Sequence, residues 1–118
     1  MKRYVVLGLA AVALAVAAPA IGAQSAKKLT GTVGPGFTIT LTSGGKKVTS
    51  LKAGKYTITV SDKSDIHNFH LKGPGVNKEI TSVSFKGTKS YNATLKKGKY
   101  TYVCDPHASI MKGSFTVK

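Results

Sequence analysis

Residues 36–43 read GFTITLTS, in which Phe37, Ile39 and Leu41 alternate with Thr38, Thr40 and Thr42. A period of two sends successive side chains to opposite faces of an extended chain, so one face is apolar and the other wet. KYTITVS repeats the pattern with Tyr56, Ile58 and Val60. LTGTV, IHNFHL, EITSVSF, SYNATL, KYTYVC and GSFTVK have the same character, and Gly and Lys clusters at 43–47, 73–78, 86–89 and 96–99 separate them. A sheet with one apolar face must bury that face, and residues 24–118 show no helical periodicity that would supply a cover. Two sheets must therefore pack together. The pattern predicts an all-β chain, an antiparallel Greek-key β-sandwich of about eight strands.

The first residues concern location. Lys2 and Arg3 precede an apolar run from about Val5 to Ala18, followed by the small residues Ala20, Gly22 and Ala23. That is the order of a secretory signal. Residues 1–23 are expected to be a signal peptide, 24–28 (QSAKK) a polar lead-in and 29–118 the folded domain, secreted or periplasmic. The stretch Tyr4–Ala23 is also long enough to span a bilayer, so an uncut leader would anchor the domain to a membrane. The roughly 95 remaining residues make one small core. Cys104 is the only cysteine, so no intrachain disulfide is available. A spare thiol in an oxidising compartment is a liability unless it is buried, metal-bound or paired with another chain.

Beyond residue 23 the chain carries sixteen Lys, no Arg and four acids, Asp62, Asp65, Glu79 and Asp105. So basic a surface attracts nucleic acid, anionic lipid or acidic protein. The absence of forked guanidinium contacts argues against nucleic acid. Lysines also keep a β-protein soluble and protect its edges. One echo, LKAGKYT (51–57) and LKKGKYT (95–101), reads as shared local chemistry: a Gly turn feeding a strand whose Tyr anchors its hydroxyl at a sheet corner.

The side chains able to do chemistry are Cys104, His67, His70, His107, Met111 and the four acids. Asp62 and Asp65 lie in SDKSD, which reads as a strand end rather than a hydrolytic pair. Cys104 with His107 has the makings of a nucleophile pair, but so small a sandwich offers little cleft for a substrate. No Gly-rich loop precedes a helix, which excludes a phosphate cradle. Metal binding fits better. Cys104, His107 and Met111 share the loop between KYTYV and GSFTVK, and thiolate, imidazole and thioether together suit copper more than zinc. A further imidazole is needed. On a strand His67 shares the face of Phe69 and Leu71, so it points inward, whereas His70 shares the face of Ile66 and Asn68. Asn68 is placed to hydrogen-bond across to the ligand loop. Taken singly, each residue has an ordinary explanation: a buried thiol, a core methionine, a surface histidine. Their concentration in one loop is what sets them apart.

HNFH, followed some thirty-five residues later by YTYVCDPHASIMKGSFTV, resembles the cupredoxins, the type 1 blue copper proteins, and within them the amicyanin and plastocyanin group. The resemblance implies one copper ion per chain, held by His67, Cys104, His107 and Met111, with Asn68 bracing the loop and Tyr100 as the family's tyrosine corner. Three residues separate His107 from Met111, where amicyanin-like loops have two and plastocyanin-like loops four. His70 matches a second histidine of amicyanin-like sequences that is not a ligand. The implied activity is one-electron transfer outside the cytoplasm, by a carrier rather than an enzyme. Electrons would pass at His107, ringed by Pro106, Ala108 and the GPG turns at 34–36 and 73–75. The lysines would steer toward redox proteins with acidic docking surfaces. The same ligands would also serve a copper carrier or buffer that delivers the ion, and an inert Cys104 would leave a binding or adhesion module.

Overall fold

A computed structural model describes residues 25–118. The expected signal segment, residues 1–23, lies outside the described residues. The strands are β1 (Lys27–Val33), β2 (Ile39–Ser43), β3 (Lys46–Lys47), β4 (Ser50–Leu51), β5 (Gly54–Asp62), β6 (Phe69–Gly73), β7 (Val76–Thr81), β8 (Gly87–Leu95), β9 (Gly98–Val103) and β10 (Lys112–Val117). They form two five-stranded sheets, β3-β2-β1-β5-β8 and β4-β10-β9-β6-β7, and the chain is a β-sandwich.

The alternation read from the sequence is the alternation of burial. In β5, Tyr56, Ile58, Val60 and Asp62 are buried, and the residues between them are not. The differences from expectation have local causes. β3 and β4 have two residues each, too short to show a period. β1 begins at Lys27, inside the expected lead-in, because its backbone pairs with β5 from Tyr56 onward. IHN (66–68) precedes β6 rather than belonging to it, and β7 takes in residues 76–78 but stops before SVSF. Two pairings, β1 with β5 and β4 with β10, are parallel, so both sheets are mixed. Each joins strands separated by a long crossover, a link that hairpin signals do not reveal.

The register defines two ends. The connections 34–38, 63–68, 82–86 and 104–111 lie at the upper end, and 44–45, 52–53, 74–75 and 96–97 at the lower. Between them runs an aromatic core. Phe69 stacks on Tyr102 with ring centroids 5.6 Å apart, and Tyr100 stacks on Phe115 at 5.3 Å. Gly113 pairs with Tyr102 across β9 and β10, and a β-carbon there would overlap the tyrosine ring. The missing side chain is what lets the ring lie flat.

The two LK-x-GKYT segments do share local chemistry at the lower end. The Tyr56 hydroxyl donates to the Lys52 carbonyl at 2.7 Å, and the Lys96 amide donates to the Tyr100 hydroxyl at 3.0 Å, each spanning four residues. Gly98 opens its strand at φ 142°, with Pro74 packed where a β-carbon would sit. Tyr100 does more than Tyr56, since its hydroxyl also donates to the Pro74 carbonyl at 2.7 Å and so ties the β6–β7 turn to β9. Tyr100→Phe is therefore expected to cost about 1–2 kcal/mol in urea unfolding and Tyr56→Phe about 1 or less. Equal costs would show that the bond to Pro74 contributes nothing.

Candidate metal centre

Two runs of inward-facing side chains converge at the upper end. In β9 the buried positions are Tyr100 and Tyr102, and the same period carries on to Cys104, fully buried just past the strand. In β6 they are Phe69 and Leu71, and the period extends backward to His67, also 0% exposed. β6 and β9 pair through His70–Val103 and Leu71–Tyr102, so the extensions of both strands meet.

The loop from Cys104 to Met111 is closed by its own backbone. The His107 amide donates to the Cys104 carbonyl at 3.0 Å, the Met111 amide to the His107 carbonyl at 2.8 Å, and the Cys104 amide to the Met111 carbonyl at 3.0 Å. Pro106 lies in the short 3-10 turn Asp105–His107, where a missing amide proton costs nothing. The three residues between His107 and Met111 thus complete one helical turn, which returns the chain to the base of the loop with Met111 fully buried.

The convergence is tight. His67 Nδ1 lies 3.1 Å from His107 Nδ1, Cys104 Sγ lies 3.6 Å from His67 Nδ1, and Cys104 Sγ lies 3.5 Å from His107 Nδ1. A point equidistant from the three atoms is about 2 Å from each, the length of a metal–imidazole bond and a few tenths of an ångström short of a metal–thiolate bond. Three lone pairs aimed at one point repel unless a proton or cation lies among them, so this donor set fits a metal ion and discriminates in favour of a soft one. Packing helps hold the rings. Phe37 sits edge-on to both, with centroids 5.4 Å from His67 and 5.0 Å from His107.

Asn68, fully buried, fastens the two segments together. Its Oδ1 accepts the Asp105 amide at 2.7 Å, while Nδ2 donates to Asp105 Oδ2 at 2.8 Å and to Glu79 Oε2 at 2.7 Å. His70 adds a second tie, with Nδ1 2.7 Å from Asp105 Oδ2 and Nε2 2.6 Å from Asn77 Oδ1. Burial pushes the Asp105 carboxyl up, yet hydrogen bonds from Asn68 and His70, with the charges of His70 and Lys72, outweigh it, and Asp105 titrates below the ordinary value.

All of the sequence-derived candidates lie at this end, but the surroundings differ from expectation in two respects. Phe37 is not a core residue of β2: it stands before the strand and is 56% exposed. The turn at 73–75 does not ring His107, because Pro74 packs on Gly98 and Tyr100 at the lower end. Only the turn at 34–36 reaches the site: a β-carbon on Gly34 would come within 3.3 Å of the His67 ring. Roles for Phe37, Asp105, Glu79 and Asn77 were not visible in the sequence. Acid residues spaced this far apart give no periodic signal.

The family model for copper binding proteins of the plastocyanin/azurin family matches residues 43–118. The chain belongs to that family. It is a cupredoxin, and copper is its cofactor. Among solved structures it is similar to reduced rusticyanin (24% identity, 80% of this chain and 82% of that one, TM-score 0.55). It is also similar to auracyanin A, a blue copper protein of Chloroflexus aurantiacus (20% identity, 80% and 100% covered, TM-score 0.56). A Cu(I) methionine-to-glutamine variant of amicyanin matches at 17% identity, with 77% and 82% covered and a TM-score of 0.50. Compared with curated proteins by sequence alone, the chain finds no match. The solved structures establish the sandwich, and the family match establishes the metal.

The Asp105 ties give a pH prediction. Because its carboxyl titrates below the ordinary value when folded, its contribution is complete above the unfolded value and is lost as pH falls through the folded one. The margin of the wild type over Asp105→Asn in urea melts should be flat above about pH 5 and shrink steadily below about pH 4. A margin that does not change between neutral and acid pH would show that the carboxylate charge plays no part.

Proposed function

We propose that this cupredoxin is an exported one-electron carrier in which His67, Cys104, His107 and Met111 hold a single copper ion, with residues 1–23 directing export. The observation that carries the reading is the triangle of Nδ1, Nδ1 and Sγ atoms with 3.1–3.6 Å sides, at the meeting of two strand extensions and one closed loop. The chemistry supplied by the bound ion is a one-electron Cu(I)/Cu(II) couple.

The chain's own part is to hold its donors still. Cys104 is fixed by the end of β9 and by the hydrogen bond from its amide to the Met111 carbonyl, His67 by the entry to β6 and the ring of Phe37, and His107 by backbone hydrogen bonds on both sides. A donor set that hardly moves keeps rearrangement small when an electron arrives or leaves. Burial of His67, Cys104 and Met111 excludes water from three of the four positions. His107 alone is partly exposed, so its ring edge is the route for electrons to the surface. Phe37, Ile66 and Ile110, the exposed large apolar residues among those described, all belong to upper-end connections. An apolar rim around a partly exposed ring suits small, brief contacts with a redox partner protein. Delivery of the ion itself is the weaker reading, because a donor that hands over copper must open, and three of these four donors are fully buried.

Added Cu(II) is expected to give the purified protein intense visible absorption. Cys104→Ser should abolish the band while the β-sheet circular dichroism persists. A folded protein that takes up Cu(II) without colour would overturn the type 1 reading.

A further inference from the structure

Half of the lysines beyond residue 23 lie at the end opposite the metal centre. Lys27 and Lys28 begin β1, and Lys52 and Lys55 flank the start of β5. The β8–β9 connection adds Lys96, Lys97 and Lys99, and Lys118 follows β10. These eight of the sixteen lysines beyond residue 23 occupy the lower end, about 20 Å from Cys104 along β9, while Lys46 and Lys47 of β3 sit at mid-height, level with Ile58 and Thr59 of β5. All four acids lie toward the other end: Asp62 and Asp65 at the β5–β6 connection, Asp105 in the loop, and Glu79 opposite His70. The one ion pair among the described residues is His70–Asp105, so the lower-end charges are unneutralised. Of the other six lysines, Lys78 and Lys89 rest over the rings of Tyr91 and Phe85.

This polarity bears on the expectation that lysines draw an acidic partner to His107. The strongest attraction is at the wrong end for that. Two further observations say what the lower end faces. A recess of about 760 Å³ opens there, lined by Ser25, Lys27, Lys52, Gly54, Lys55 and Tyr56. The chain also enters the fold at this end: the apolar stretch Tyr4–Ala23 stops four residues before Lys27, a reach of at most about 14 Å.

We infer that the lysine-rich lower end is a docking face for an anionic lipid surface, which holds the copper end outward toward soluble partners. Lysines adjacent to an apolar segment are attracted by anionic headgroups, and each adds about five-fold to partitioning. The acids at the upper end oppose the inverted orientation.

The test compares the full chain on vesicles of phosphatidylcholine with its binding to mixed phosphatidylcholine–phosphatidylglycerol vesicles. Any contribution of the apolar segment is common to both, so the anionic-to-zwitterionic ratio isolates the charged face. Lys27→Gln/Lys52→Gln/Lys55→Gln should lower that ratio by ten-fold or more. Lys63→Gln/Lys86→Gln/Lys112→Gln, with the same net charge, should leave it nearly unchanged. Equal loss in both variants would mean that net charge alone is read, and would overturn the proposal. Tight binding of soluble polyglutamate by the wild type, with a vesicle ratio near one, would assign the face to an acidic protein and overturn it as well. The readout does not depend on copper, so its failure would leave the electron-carrier reading untouched.

Discussion

The site depends on one buried amide. His67 belongs to the run that enters β6, while Cys104, His107 and Met111 belong to the loop that leaves β9, and strand pairing alone fixes these segments only up to Phe69 and Val103. Beyond that point Asn68 takes over the ladder. It accepts the Asp105 amide and donates to the Asp105 carboxylate, a pair of short bonds that continues the β6–β9 pairing through a side chain. A buried asparagine is costly when unmet, and this one has its carbonyl and both amide hydrogens satisfied. The same bonds that make its burial tolerable are those that set the distance between His67 and the thiol.

Much of this was legible because β-structure is periodic. His67 can be placed inward from Phe69 and Leu71 without knowing where the strand begins, since the parity persists through the two residues before it. Cys104 inherits its direction from Tyr100 and Tyr102 in the same way. Period-two reasoning fails where the chain is not a strand. Phe37 continues the pattern of Ile39 and Leu41 on paper, but the chain has already bent, and its ring lies on two imidazoles instead of in the core. The parallel pairings were invisible for a related reason: a hairpin announces itself in a turn, whereas β1 and β5 are brought together by everything between them. His70 shows the converse limit. Its outward parity was correct, but Asp105 and Asn77, which it bonds, lie 35 and 7 residues away with no pattern to link them.

The sandwich also separates two tasks that the composition runs together. Read as a total, the charge suggests one basic surface. In space the strands carry their acids toward one end and half of their lysines toward the other, as upper-end connections are built around donors and lower-end turns around Gly and Lys. The metal-binding end is consequently near neutral and rimmed by Phe37, Ile66 and Ile110, a surface suited to brief apolar contact. Long-range attraction is left to the opposite pole. Steering and electron passage need not share a face.

The interval between His107 and Met111 shows how a loop length becomes chemistry. With three intervening residues, Met111 falls four positions after His107, the spacing of a single α-type turn, and its amide meets the His107 carbonyl at 2.8 Å. That bond and the one from the Cys104 amide to the Met111 carbonyl make the loop a closed ring of backbone contacts. Removing a residue would break the four-residue bond, and adding one would displace Met111 from the position where its carbonyl meets Cys104. Either change would shift the buried thioether relative to the thiol while leaving both strands intact. In this chain the position of the Met111 thioether relative to the Cys104 thiol is therefore set by the loop's hydrogen bonds, and β9 and β10 supply the two points from which the loop is hung.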